Sequence, residues 1–243
     1  MAAMELWASV LTVSKILTAI DAKRDSSRLE NRVKYENSFL DIKKSKEQNI
    51  LNFTSLFEHS EVKSIAKEII EDLYKFDFEN TPSFSSKMAQ NDSVFDSSAR
   101  ENISLKEHSF GTLNQMRRFI GKKFGIHSDF FFIIAIVHDY GKSLKLKTDK
   151  KISLSYSHHT ASAAYLKMII ISRQNLSNNL KVFFNKVCTV LEAHHTPELA
   201  NRFFAVEKNE NNMEMEILLL DNLKKADYAQ CEIDTEKGIL VDL

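Results

Sequence analysis

The stretch FFFIIAIVHDYGKS, residues 130–143, passes from eight consecutive apolar side chains directly into a histidine and an aspartate. A run of this kind is typical of an element that is buried on every side, although its own periodicity does not separate helix from strand. The chain has only five Gly and two Pro in 243 residues, and apolar side chains elsewhere recur at helical spacing. The sequence therefore predicts an all-α protein in which a buried helix, ended by Gly141, carries His138 and Asp139 at its end.

Helical spacing is clearest in residues 60–76, where Ser60 stands in the position of an N-cap. One face of this helix collects the apolar side chains Val62, Ile65, Ala66, Ile69, Ile70, Leu73 and Phe76. Farther along, Ser104 and Glu107 have the spacing of a capping box, which predicts the start of a helix that carries His108. These patterns place the first candidate histidine near the beginning of a helix.

Three more helices are predicted in the second half of the chain. Ser157 can cap a helix that begins with His158 and His159. The next helix has a shared face formed by Leu180, Phe184, Val187, Leu191 and His194. In the last helix, residues 214–230, one face carries Leu220, Leu223 and Asp227. Asp227 thus stands where an apolar side chain is expected, and either a metal ion or a salt bridge would compensate its burial.

A polar segment rich in Ser, Asn and Asp, interrupted by Pro82, divides the chain. The N-terminal helices could pack on the core, form a homodimer or dock elsewhere, and the sequence does not choose among these. The short tail has a predicted turn at Lys237 and Gly238 and ends in an edge strand or a cut end. The predicted regions are an N-terminal helical region 1–76, a linker or loop 77–100, a core domain 101–230 and a tail 231–243.

The charge balance gives no general attraction for polyanions, because Lys+Arg and Asp+Glu both number 33. A nucleic acid would need a local basic patch, and the best candidate is the loop with Lys145, Lys147, Lys150 and Lys151.

Two isolated cysteines, Cys188 and Cys231, form neither a CxxC unit nor a disulfide framework. This pattern favours a reducing compartment, so we expect a cytoplasmic protein. The apolar segment 4–20 is interrupted by Glu5 and Lys15, so no membrane span is predicted there.

Histidines and aspartates come from several separate segments of the predicted helical core. A single histidine on an apolar face is more often a hydrogen-bonded core residue than a ligand, but paired histidines at helix ends favour a metal site. Imidazole suits Fe, Mn, Co, Ni and Zn, and a carboxylate can bridge two such ions. The candidate ligands are His108, His138, Asp139, His158, His159, His194, His195 and Asp227.

These residues resemble the H…HD…D pattern of the HD superfamily of metal-dependent phosphohydrolases, and the resemblance covers residues 101–230. The most specific part is residues 130–143, similar to the family's apolar helix followed by HD-x-GK. The resemblance implies an all-α HD core with an additional N-terminal region, and the metal ligands that it implies are His108, His138, Asp139 and Asp227. Members with two metals add histidines where SHHTASAAYL, residues 157–166, and LEAHHTPE, residues 191–198, fall. Two divalent transition-metal ions are therefore expected.

The resemblance leaves two ligand choices open. The Ser-Ala that follows points to His158, but His159 fits almost as well, and either or both of His194 and His195 could reach a metal. Thr-Pro-Glu follows His195 instead of Gly-Tyr-Pro, which speaks against hydrolysis of cyclic-di-GMP.

The function that this resemblance implies is hydrolysis of a phosphate ester, a nucleotide or a phosphodiester, by a metal-activated hydroxide. Asp139 and Lys142 are the expected catalytic residues, and Lys142 is also the expected phosphate contact, although a solvated lysine is nearly as good an interpretation. One alternative is an HD-type nuclease that cleaves single-stranded DNA or RNA, including a role in conjugation or defence. The other is a sensory or interaction module that binds metal without catalysis.

Overall fold

The computed structural model describes residues 39–84, 102–120, 127–195 and 214–241. Within these residues the backbone forms eight α-helices and no β-strand, which confirms the all-α prediction. A 3₁₀ turn, Tyr140–Lys142, lies between the fourth and fifth helices. The helices are α1 (Lys46–Thr54), α2 (Ser60–Lys75), α3 (Leu105–Ile120), α4 (Ser128–Val137), α5 (Leu144–Asp149), α6 (His158–Ile171), α7 (Asn178–Ala193) and α8 (Glu214–Val241).

Helix α4 is the centre of the core, since all ten of its residues are buried. It packs against α2, α3, α7 and α8, as its uninterrupted apolar sequence predicts. Truncating one of its fully buried side chains, such as Phe131→Ala, is expected to cost about 3–5 kcal/mol of folding free energy.

The prediction that Gly141 ends α4 is wrong. The helix ends at Val137 with His138 as its C-cap, and Gly141 lies in the following 3₁₀ turn. Its backbone N–H donates to Ser162 Oγ at 2.8 Å, and a Cβ at this position would lie 1.9 Å from the carbonyl oxygen of His158. Glycine is therefore required for the close approach of the turn to α6 rather than for a helix end.

Helices α1 and α2 share the core with the later helices. All seven apolar residues predicted on one face of α2 are buried. The prediction that Ser60 is the N-cap is wrong. Ser60 is the first helical residue, and the N-cap is His59, whose side chain makes no capping hydrogen bond. The turn after α4 is tied to this region, since Tyr140 Oη donates to Ile69 O and Ser143 Oγ donates to Phe76 O. The division at residues 77–100 stays a prediction, but the helices on both sides of it form one core.

The start of α3 confirms the serine half of the predicted capping box. Ser104 Oγ accepts a hydrogen bond from the Glu107 N–H at 3.1 Å, and the Glu107 carboxylate contacts Lys237 on α8. In the predicted linker, residues 77–84 form turns, and Pro82 pairs with Ser104 in an isolated bridge. These contacts fix the position of the first turn of α3.

The last helix is longer than predicted. The sequence pattern ends it at Gln230 and places a turn at Lys237 and Gly238, but α8 continues to Val241. The extension packs along α3, and the side chains of Gln230 and Asp234 are fully buried. A single glycine in a helix costs only about 1 kcal/mol, so this packing outweighs it.

Candidate metal centre

The candidate ligands lie mostly at helix ends that converge on one place. His108 lies in the first turn of α3, His138 caps α4 and precedes Asp139, His158 begins α6, His194 caps α7 and precedes His195, and Asp227 lies on α8.

Seven of the eight predicted ligands fall into two groups, and within each group the ligand atoms all lie within 4.8 Å of one another. The first group, which we call the inner cluster, comprises His108, His138 and Asp227. The second group, the outer cluster, comprises Asp139, His158, His194 and His195. Such distances suit ligands that share a cation.

In the inner cluster two imidazole nitrogens and a carboxylate oxygen converge. Asp227 Oδ1 lies 3.1 Å from His108 Nε2 and 3.6 Å from His138 Nε2. The two Nε2 atoms are 3.3 Å apart. A proton on one of these nitrogens or a metal ion between them would remove the repulsion among their lone pairs.

Asp139 lies between the clusters. Its Oδ1 is 3.5 Å from His158 Nε2 in the outer cluster. Its Oδ2 is 3.6 Å from His108 Nε2 and 3.5 Å from His138 Nε2 in the inner cluster. The two oxygens of one carboxylate thus face different clusters, the arrangement expected of a bridging ligand.

The outer cluster is the more open of the two, because it includes the exposed His195. Three of its buried side-chain atoms, Asp139 Oδ1, His158 Nε2 and His194 Nε2, make no hydrogen bond to the described residues. Burying polar atoms without partners is costly. A metal ion bound by these atoms would remove that cost, so the residues present fit a metal site.

Of the adjacent histidines on α6, only His158 belongs to a cluster. The His159 ring lies beside it, with centroid distances of 5.2 Å to His158 and 6.0 Å to His194. His159 therefore borders the outer cluster, and the geometry favours His158 among the two ligand choices.

The pKa values of the histidines differ between the clusters. In the outer cluster, burial lowers the pKa of His158 to about 3 and holds the pKa of His194 well below its usual range. For His108, burial acts in the same direction, but hydrogen bonds to Asp227 and Asp234 outweigh it and raise its pKa to about 10. The outer histidines are therefore neutral, which is the form that binds metal. His108, in contrast, is protonated on both ring nitrogens in the metal-free protein, and its second proton must leave before a metal binds.

Both aspartates of the site stay ionised. Burial opposes this, but Lys142 and the nearby histidines hold the pKa of Asp139 well below its usual range. Hydrogen bonds to His108 and His138 do the same for the pKa of Asp227. The negative charges of the buried Asp139 and the partly buried Asp227 add to the preference of the site for cations.

Lys142, the predicted phosphate contact, bonds to the site itself. Its Nζ lies 2.5 Å from Asp139 Oδ2 and 2.6 Å from the Ser83 carbonyl oxygen. The predicted basic loop is also partly engaged, since Lys147 is buried and donates to the Tyr156 carbonyl oxygen, and Lys150 pairs with Asp72. Its lysines therefore do not form one free cationic patch.

A residue missing from the sequence-based set is Asp234. Its buried carboxylate accepts a hydrogen bond from His108 Nδ1 at 2.7 Å. Asp234 follows Asp227 by seven residues, so helical spacing continued past Gln230 would have placed it on the same face. Because the predicted helix ends at Gln230, the sequence pattern does not include Asp234 on that face.

Comparison with known proteins adds no family assignment: no protein-family model matches the chain, and no curated protein or solved structure matches it either. The HD resemblance thus stays a prediction. Among the described residues, none of the helices has both the length and the apolar character that crossing a membrane demands. Neither Cys188 nor Cys231 forms a disulfide within the described residues.

Proposed function

We propose that the protein is a two-metal phosphohydrolase that cleaves a phosphate ester of a small molecule, a nucleotide or a phosphodiester. The observation that carries this proposal is the position of Asp139, whose two carboxylate oxygens face two separate groups of imidazole and carboxylate ligands. Two divalent ions, when bound, would activate water and neutralise the charge that develops on the phosphoryl group.

The chain's own residues have distinct tasks in this proposal. His108, His138 and Asp227 would hold one ion, and His158 with His194 or His195 would hold the other. Asp139 would join the two sites and keep them at a fixed separation. The Lys142 ammonium orients the Asp139 carboxylate and stands at the border between the ligands and an adjacent groove.

The size and position of that groove favour a substrate whose phosphate is attached to a small organic group. Its volume is about 590 Å³, within the usual range for small-molecule sites. It is contiguous with the outer cluster, because His158 belongs to both and Lys142, which lines the groove, pairs with Asp139. The residues that line the rest of the groove include Asn80, Thr81, Ser157, Lys145 and the exposed Tyr156. A phosphate at the metals would leave its organic group among these side chains.

Metal content is the first test of this proposal. The protein is purified without chelator, loaded in turn with Mn, Fe, Co, Ni or Zn, and measured by elemental mass spectrometry beside Asp139→Ala. Asp149→Ala, an exposed aspartate outside the clusters, is the matched control. We expect about two equivalents in the wild type and in the control, and a loss from both clusters in Asp139→Ala.

Activity is then assayed with bis(p-nitrophenyl) phosphate, nucleotides and single-stranded DNA and RNA. Cleavage of the small esters supports the proposal, whereas salt-sensitive cleavage of polymers alone would favour the nuclease alternative. A protein that holds two metals and cleaves none of these would be the metal-binding module, and a protein without metal would overturn the proposal. A cytoplasmic location and a homodimer formed through the N-terminal helices remain predictions made from the sequence.

A further inference from the structure

We infer that Asp234 is a positioning residue, which fixes the ring of His108 so that its Nε2 points at the inner metal site. This inference rests on the proposed function, because it assumes that the inner cluster binds a metal. Asp234 lies on α8, is fully buried, and its Oδ2 accepts from His108 Nδ1 at 2.7 Å. With Nδ1 protonated by this bond, Nε2 is the nitrogen that can ligate.

The other two buried histidines show the same orientation by a different means. His138 Nδ1 donates to the Ala135 carbonyl oxygen at 2.9 Å, and His194 Nδ1 donates to the Leu191 carbonyl oxygen at 2.7 Å. Both histidines are C-caps, and both acceptors are carbonyls three residues earlier in the same helix. The last turn of a helix leaves such carbonyls without a backbone partner, so they can orient the imidazole.

His108 cannot use this device, because it lies in the first turn of α3. The start of a helix exposes N–H donors rather than carbonyl acceptors. An acceptor for Nδ1 must therefore come from elsewhere, and Asp234, 126 residues later in the chain, provides it. Since this acceptor is a carboxylate, it also makes His108 a stronger electron donor than a carbonyl would.

Asp234 is itself held in place. Its Oδ1 accepts a hydrogen bond from Gln230 Nε2 at 2.7 Å. The Gln230 amide lies against Gly111 of α3, where a Cβ would be 2.0 Å from Gln230 Cδ and would displace the amide. Gly111, Gln230 and Asp234 thus form a buried chain of contacts that ends on His108, as expected of a fixed ligand support.

The test compares Asp234→Ala and Asp234→Asn with the wild type in a Zn²⁺ titration against a competing chelator. Asp221→Asn is the control, an exposed aspartate on the same helix that pairs with Lys225. We expect Asp234→Ala to weaken binding of one of the two ions by about 10- to 100-fold. Asp234→Asn should weaken Zn²⁺ binding less, because its amide oxygen can still accept a hydrogen bond from His108 Nδ1. The control should bind Zn²⁺ as the wild type does.

A double variant separates positioning from a general structural role. If Asp234 acts through His108, Asp234→Ala causes no further loss of affinity in a His108→Ala background, whereas a structural defect would add to the loss. Unchanged Zn²⁺ binding in Asp234→Ala, or an additive loss in the double variant, overturns this inference alone. A wild type that takes up no metal overturns the proposed function instead.

Discussion

The inner and outer clusters lie on either side of the Asp139 carboxylate but are built differently. In the inner cluster a distant carboxylate, Asp234, supports His108, and the pKa of that histidine is raised to about 10. In the outer cluster the supporting contact of His194 is a carbonyl of its own helix, as it is for His138 of the inner cluster, and burial lowers the pKa values of all three outer histidines. The outer cluster alone borders the groove and includes an exposed histidine. Under the proposed function, the inner cluster would hold an ion and the outer cluster would contact the substrate.

The largest expected effect comes from removing one buried ligand from each cluster. His138→Ala should lose the inner ion and His194→Ala the outer ion, each leaving about one equivalent by elemental mass spectrometry. Phosphoesterase activity should fall roughly 100-fold or more in both, because loss of a direct ligand exceeds the 10- to 100-fold effect of losing its support. Loss of both ions from either single variant would show that the clusters are not separate sites.

Acidification should weaken the inner site alone. Below its pKa of about 10 the metal-free His108 holds a proton that an entering ion must displace, so affinity falls about tenfold per pH unit as pH decreases. Between about pH 8 and pH 6 this amounts to roughly 100-fold. His158, with a pKa of about 3, stays neutral over that range, so the outer site should not change.

The pH comparison uses His194→Ala to report the inner site and His138→Ala to report the outer site, each titrated against a chelator whose own pH dependence is known. If the metal affinities of the two variants changed equally with pH, the predicted difference in histidine protonation between the clusters would be wrong.

Lys142→Met tests the link between the clusters and the groove. The variant removes a charged hydrogen-bond donor from Asp139 and from the Ser83 carbonyl, so we expect activity to fall about 10- to 100-fold while both metals stay bound. Steady-state kinetics and metal analysis check this result. Lys63→Met, an exposed lysine on α2, is the control. If the variant lost metal in parallel with activity, Lys142 would be a support of Asp139 only.

The smallest expected effect concerns Tyr156 at the groove. Tyr156→Ala should raise KM for an aromatic or nucleoside phosphate about 3- to 10-fold, because the variant lacks the exposed ring that would pack against the organic group. Metal content and kcat should not change. Leu154→Ala, an exposed neighbour that does not line the groove, serves as the control in the same assay. An unchanged KM would place the organic group outside the groove.

Much of the fold and of the site could be predicted because the decisive signals are local. The apolar face of α2 and the caps at Ser104 and Ser157 depend on residues within one or two helical turns, and each is confirmed. The role of Gly141 and the far end of α8 were predicted wrongly for the opposite reason. Gly141 is required by a contact with α6, and the end of α8 is extended by packing on α3.

The sequence by itself determined the helical class, the residue types of the candidate site and the order in which they occur, because helix periodicity and ligand chemistry are properties of short segments. The tertiary structure decided which histidines share a cluster, that Asp139 lies between the clusters, and that Asp234 supports His108. These features depend on how the ends of distant helices meet within a few ångströms. Such distances are fixed by the packing of the whole core and by no single segment.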